Sequence, residues 1–206
     1  MRILTAIVLA ALVSLPLAAG AQQVQYGELN PPQPVENANK IEVLEFFWYG
    51  CPHCYTLEPL LEQWIPTLPA DAQFRRIPAV FNDQWARDAG IYYAFDALGV
   101  VGKVHRPFFD AIHRDRLRTD NPQALAEWLQ RNNVDSRKFD ETLKSFGVQS
   151  KVRRAKQLSV AYRIDGTPAL AVHGRFTVSA EQARTQKGML ATTEYLIGVA
   201  RKGGGA

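Results

Sequence analysis

Cysteine is almost missing from this chain, with two residues in 206. That excludes a disulfide-stapled scaffold, which needs several bridges to make up for a small core. A chain this long buries enough apolar surface without them. Long runs of one charge are also missing. The formal net charge is +4, from 24 Lys and Arg against 20 Asp and Glu. The densest basic cluster, Lys151-Val152-Arg153-Arg154-Ala155-Lys156, interleaves apolar residues at helical spacing. It reads as the solvated face of a helix, so no nucleic-acid partner is expected. There are four histidines, and His105, His113 and His173 stand at no recognisable ligand spacing. Structural zinc usually takes four ligands, so no metal site is expected. No segment beyond residue 21 is apolar enough to span a membrane, and no internal repeat is visible.

The N-terminus does contain an apolar stretch, and it reads as an address. Arg2 supplies a positive start, and Ile3 to Ala19 are mostly apolar, interrupted by Thr5, Ser14 and Pro16. Ala19-Gly20-Ala21 is a small-x-small cleavage site before Gln22. Residues 1–21 are therefore expected to be a cleaved signal peptide. The stretch is too short and too broken for a spanning anchor, and no cysteine follows it directly to carry a lipid. The mature protein is expected to be exported, soluble and exposed to an oxidising compartment.

Against that background the two cysteines stand three apart, in Cys51-Pro52-His53-Cys54. A structural disulfide constrains the unfolded chain more as its loop lengthens. This loop is too short to give much of that, so the pair is better explained as chemistry.

Ile41-Glu42-Val43-Leu44-Glu45-Phe46-Phe47 is a compact apolar run and predicts a strand. After the turn Trp48-Tyr49-Gly50, residues Tyr55, Leu57, Leu60, Leu61 and Trp64 recur at helical spacing. The helix should start at Cys51 with Pro52 in its first turn, where the missing N–H costs nothing. Pro59 is expected to kink it. Gln73 to Pro78 predicts a second strand, completing a parallel βαβ unit. From Gln84 to about Ile164 the pattern is helical. Asn121-Pro122 and Asp135-Ser136 are helix starts, Gly147 is a stop, and a further helix is expected from about Ser150 to Tyr162. Ala169–Val172 and Arg175–Val178 predict a hairpin turning on His173-Gly174, followed by a last amphipathic helix. The expected fold is α/β, a central mixed sheet flanked by helices with an inserted all-helical subdomain. The first part of the sheet domain is placed at 22–83, the helical insertion at 84–148, the second part at 149–202 and a flexible tail at 203–206.

A dithiol at a helix start suits redox cycling. Helix residues three apart lie on one face with Cβ atoms roughly 5–6 Å apart, close to what a disulfide requires. The helix N-terminus favours a thiolate on the first cysteine. It contributes about 0.3–1 kcal/mol, or roughly 2 at best, while one pKa unit is about 1.36 kcal/mol. The dipole therefore accounts for only about one unit, and the rest must come from N–H donors and from His53. A stabilised thiolate makes the disulfide more oxidising, about 30 mV for each 1.4 kcal/mol. Cys51 is assigned as the attacking, more exposed sulfur and Cys54 as the buried resolving thiol, with Pro52 and His53 tuning the couple. Glu45 interrupts an apolar central strand, where a carboxylate is costly unless paired or protonated. It is read as a buried acid that relays a proton to or from Cys54. Glu58, one turn beyond Cys54, reads as exposed.

Val43-Leu44-Glu45-Phe46-Phe47, Cys51-Pro52-His53-Cys54-Tyr55, Glu58 and Gly166-Thr167-Pro168-Ala169 together resemble the DsbA family of bacterial periplasmic thiol:disulfide oxidoreductases. The resemblance runs along nearly all the mature chain and implies a thioredoxin fold with a helical insert. It implies a redox-active Cys51–Cys54 disulfide as the only prosthetic group. That disulfide would be donated to newly exported, unfolded proteins with free thiols, through a mixed disulfide on Cys51. It further implies a periplasmic monomer, reoxidation by a quinone-coupled membrane oxidase of the DsbB type, and a cis bond between Thr167 and Pro168 against the active site. Familiar members often have Val before this proline. Thr167 places a hydroxyl beside the sulfur, as isomerase-type relatives do. An isomerase or reductase on the same fold is the nearest alternative, though such isomerases carry an N-terminal dimerisation domain for which the segment before Ile41 has no room. A non-catalytic chaperone for exported chains is a second alternative, and it would not need both cysteines.

Overall fold

The computed structural model describes residues 25–203. The expected signal peptide, residues 1–21, lies outside them. The elements are strand β1 (Gly27–Glu28), β2 (Ile41–Phe47), helix α1 (Pro52–Trp64), a 3-10 turn (Ile65–Thr67), β3 (Ala72–Pro78), α2 (Asp83–Ala97), α3 (Val101–His113), α4 (Pro122–Arg131), α5 (Ser136–Leu143), α6 (Phe146–Ala161), β4 (Ala169–Val172), β5 (Phe176–Ser179), α7 (Ala180–Ala183) and α8 (Gln186–Gly203).

The sheet order is β1-β5-β4-β2-β3. β2 and β3 run parallel, joined through α1, and the other pairings are antiparallel. β2 is buried at all seven positions because it has a neighbour on each edge and helices on each face. Its apolar side chains alternate between two cores as far as Phe46, and Phe47 at its end joins the same core as Phe46. Leu44 and Phe46 join Ile91, Phe95, Phe108 and Leu158 on the side of α2 to α6. Val43 joins Leu57, Leu61, Met189 and Leu196 on the side of α1 and α8. The chemistry at the end of β2 is therefore fixed from both faces.

Short polar side chains start the helices. Asn82, Asn121, Asp135 and Ser145 each accept from the N–H three residues on. Such a cap contributes about 1 kcal/mol. The hairpin between β4 and β5 turns on His173 and Gly174, both at positive φ (49° and 67°). That is the geometry two-residue hairpins favour, and a Cβ on Gly174 would stand 2.0 Å from the Gln33 carbonyl oxygen.

Four expectations need correction. Gly147 does not stop a helix. α5 ends at Leu143, and the Ser145 cap starts α6 with Gly147 in its first turn, so α6 begins four residues before the expected Ser150. Phe146 is consequently the first residue of α6, where it is 82% exposed. α8 continues through Gly203, the first residue of the expected tail. β5 begins at Phe176, one residue later than Arg175. The expected edges of the helical segment, 84 and 148, fall one residue into α2 and within the first turn of α6. Five helices, α2 to α6, lie between β3 and β4.

Candidate active site

The turn after β2 delivers Cys51 to the N-cap of α1. Its backbone is extended (φ −84°, ψ 117°), Pro52 takes the first helical position, and the Cys51 sulfur accepts from the Cys54 N–H at 3.4 Å. The Cys51 N–H donates to the Trp48 carbonyl at 3.0 Å. Both sulfurs are free thiols in this structure. Cys51 is only 6% exposed and Cys54 0%, so the order of exposure is as expected but the attacking residue is far from open.

The opposite wall comes from the segment before β4. Thr167–Pro168 is a cis bond, and the Thr167 carbonyl oxygen lies 3.2 Å from the Cys51 sulfur. As a thiol, Cys51 can donate to that oxygen, which favours the neutral form. Stronger effects oppose it, and the Cys51 pKa is lowered to about 5. The Cys54 thiol donating to the Cys51 sulfur contributes most, burial pushes back, and the Thr167 side chain and the N–H groups of Cys54 and His53 lower it further. Burial, the same Cys51 contact and the charges of Cys51 and Glu45 push the Cys54 thiol well above its ordinary value. The pair is polarised, with a thiolate at the mouth and a reluctant thiol beneath it.

The His53 side chain is exposed, and its contact with the sulfur is through the backbone N–H. Its carbonyl accepts from Gln186 Nε2 at 2.8 Å, and the same nitrogen donates to Thr56 Oγ1 at 2.7 Å. The first turn of α8 thus holds the first turn of α1.

Beneath the cysteines lies a buried charged network. Glu45 is 1% exposed, and its Oε2 stands 3.1 Å from Arg76 Nε. The two are direct neighbours in the β2–β3 register. Burial raises the Glu45 pKa to about 8 against the pull of Arg76, and the neighbouring Glu58 adds to the rise. Glu58 is 2% exposed, not exposed as the sequence suggested. It follows Cys54 by one turn on the inner face of α1, pairs with Arg76 Nη2, and lies 3.5 Å from His105 Nε2. Burial pushes the Glu58 carboxyl up, but His105, Arg76 and Arg106 together hold it below its usual range. Burial pushes the His105 pKa down against the pull of Glu58, and its Nδ1 meets the Tyr49 hydroxyl at 2.9 Å.

The fold brings together Cys51, Cys54, Pro52, His53, Glu45, Thr167 and Pro168. It adds Arg76 and His105, which the sequence reading left out, and Glu58, which it read as exposed. Arg76 was foreseeable, since a parallel partner strand puts it beside Glu45. His105 comes from the helical segment, and its pairing with α1 has no local signature.

Three comparisons bear on this arrangement. Residues 67–190 match the family described as DSBA-like thioredoxin domain. The thiol:disulfide interchange protein DsbA of Azotobacter vinelandii is 40% identical over 173 residues, covering 84% of this chain and 81% of that protein. The protein of the same name from Bordetella parapertussis is 42% identical over 203 residues, covering 98% of this chain and 97% of that one. Among solved structures, Pseudomonas aeruginosa DsbA superposes with a TM-score of 0.83 at 37% identity, covering 87% of this chain and 93% of that one.

Proposed function

The chain belongs to the DsbA family of thioredoxin-fold thiol:disulfide oxidoreductases, and from that premise we propose that it works as a dithiol oxidase of newly exported proteins. Cys51 is the exchanging sulfur and Cys54 the resolving one. A substrate thiolate attacks Cys51 of the Cys51–Cys54 disulfide. The S–S bond breaks, Cys54 leaves with the electron pair and takes a proton, and a mixed disulfide forms on Cys51. A second substrate thiolate then attacks the substrate sulfur and expels Cys51 as a thiolate. Two substrate thiols have become a disulfide, and the protein holds the two electrons. A quinone-coupled membrane partner of the DsbB type would remove them. No other cofactor or metal takes part.

The observation that carries this direction is the polarised pair, with Cys51 lowered to about 5 and Cys54 raised. The better leaving group is the sulfur that must leave substrate, and stabilising it as thiolate favours the reduced protein. In this reading Pro52 and the His53 N–H shape the thiolate site, Glu45 exchanges the Cys54 proton, and Thr167 and Pro168 form the wall against which extended substrate lies. Among the described residues no helix is long and apolar enough to cross a membrane. With residues 1–21 read as a cleaved signal sequence, the mature protein is placed in the periplasm, acting as a monomer.

The test is oxidation of a reduced two-cysteine peptide. Cys51→Ser should abolish it without loss of fold, and Cys54→Ser should accumulate mixed disulfides through Cys51. Full activity of Cys51→Ser, or trapping that requires Cys54, would sink the assignment. Equilibrium against a glutathione buffer separates oxidase from reductase. A potential as low as thioredoxin's, about −270 mV, is incompatible with the oxidase reading.

A further inference from the structure

Three aromatic rings form a ladder from the active-site turn out to solvent. The rings of Trp48 and Trp85 stack at 4.4 Å with an interplanar angle of 12°. Those of Trp85 and Phe81 stack at 4.6 Å and 30°. The inner rung is tied to the redox turn. The Trp48 carbonyl receives the Cys51 N–H, and the indole covers Gly50 so closely that a Cβ there would stand 2.3 Å from Trp48 Cζ2. Its indole N–H donates to Asp88 Oδ2 at 2.7 Å, which fixes the ring plane. The outer rung, Phe81, is 41% exposed, and Asn82, Asp83 and Gln84 beside it are exposed as well. Trp48 and Trp85 pack against the core on their inner sides, whereas Phe81 does not.

We propose that Phe81, Trp85 and Trp48 form a docking subsite for one planar apolar side chain, aromatic or proline, next to the cysteine being oxidised in an unfolded substrate. The proposal rests on the oxidase reading and adds a substrate preference to it. An exposed ring has no reason in the core to be held in register with two others. A stacked, hydrogen-bonded ladder, however, presents an apolar face whose ordering cost is already met. It is continuous with the turn that carries Cys51, so its occupant is the chain that reaches Cys51 in each turnover. A favourable ring–ring contact corresponds to roughly two- to tenfold in kcat/KM.

The experiment uses the full protein and reduced two-cysteine peptides that differ at one position, Phe or Ser, immediately before or after the first cysteine. Wild type should prefer the Phe peptide at least threefold in one of these positions. Phe81→Ala should bring that ratio close to one, and Phe81→Tyr, which keeps the stack, should retain it. Phe146→Ser, far more exposed and outside the ladder, should leave the ratio unchanged. An equal ratio in wild type, or an unaltered preference in Phe81→Ala, overturns the subsite. Oxidation of neither peptide by wild type instead overturns the oxidase reading. A Phe81-dependent dimer in sedimentation would make a second copy of the chain the occupant and likewise overturn the proposal.

Discussion

Two chemically identical side chains, three residues apart, are driven in opposite directions by what surrounds each. Cys51 collects donors from the Cys54 thiol, the Thr167 side chain and two N–H groups, and its pKa falls to about 5. At pH 7 roughly ninety-nine in a hundred are thiolate, because the pH lies two units above that value. The helix terminus alone, worth about one unit, would not reach this. Thr167 is the donor that can be removed most cleanly, since Val has the same shape without the hydroxyl. A hydrogen bond to a charged group contributes about 1.5–3 kcal/mol before solvent screening at the mouth of the site reduces it. Thr167→Val is therefore expected to raise the thiolate midpoint, read at 240 nm, by about one pH unit. The reduced form loses that stabilisation, so the couple should become about 30 mV less oxidising. A thiolate midpoint that does not move would show that Thr167 contributes nothing through its hydroxyl.

At the scale of elements, β2, β3, α1 and α3 each contribute one group to the charged network beneath the cysteines, namely Glu45, Arg76, Glu58 and His105. One guanidinium faces two carboxylates, and the two are resolved unequally, with Glu45 raised to about 8 and Glu58 lowered. Glu45 is thus an acid able to hold or release a proton near neutral pH, under a thiol that must lose one. Glu45→Gln keeps the volume and removes the acid. Resolution of a glutathione mixed disulfide on Cys51 by Cys54 is expected to slow by about tenfold or more. Unchanged resolution kinetics would remove Glu45 from the reaction. The same variant has a pH signature in stability. A carboxyl whose folded pKa is raised favours the folded state fully below its unfolded value, near 4.5, and that contribution is lost as pH rises through about 8. Wild type should lose stability across that window by up to a few kcal/mol, and Glu45→Gln should be flatter there. Much of this layout was legible in the sequence. The run Ile41–Phe47, the Cys51 start of α1, the Asn121 and Asp135 caps and the His173-Gly174 turn all follow from local rules that tertiary contacts did not override. Glu58 was misread because its four-residue spacing from Cys54 fixes a helix face but not which face is covered. α3, which covers it, is distant in sequence. Gly147 was misread because glycine two residues after a serine cap is tolerated in a first turn, and the Ser145 cap outweighed the breaker.

For the whole molecule, redox state and folding are linked by a closed cycle. The reduced and oxidised proteins, folded and unfolded, define four states. The difference in unfolding free energy between the two redox forms must equal the difference in reduction potential between the folded site and an unstructured Cys-Pro-His-Cys peptide, at about 1.4 kcal/mol per 30 mV. The short loop closes at the same entropic cost in peptide and unfolded chain, so it cancels. What remains is the folded environment, which stabilises the Cys51 thiolate. That contribution has a definite sign. The thiolate pKa is depressed on folding, so its stabilisation is complete above the unfolded thiol value, near 8.5–9, and is lost as pH falls through about 5. The Cys54 thiol is raised, and its effect is confined to alkaline pH. The reduced protein is therefore expected to melt above the oxidised one at pH 7, the reverse of what a structural disulfide does. A domain of this size shifts by about 2–4 °C per kcal/mol, which calorimetry resolves. The gap should narrow as pH is lowered toward 5. An oxidised form that melts higher at pH 7 would mean that the folded site favours the disulfide, and the direction of electron flow assigned to Cys51 and Cys54 would have to be reversed.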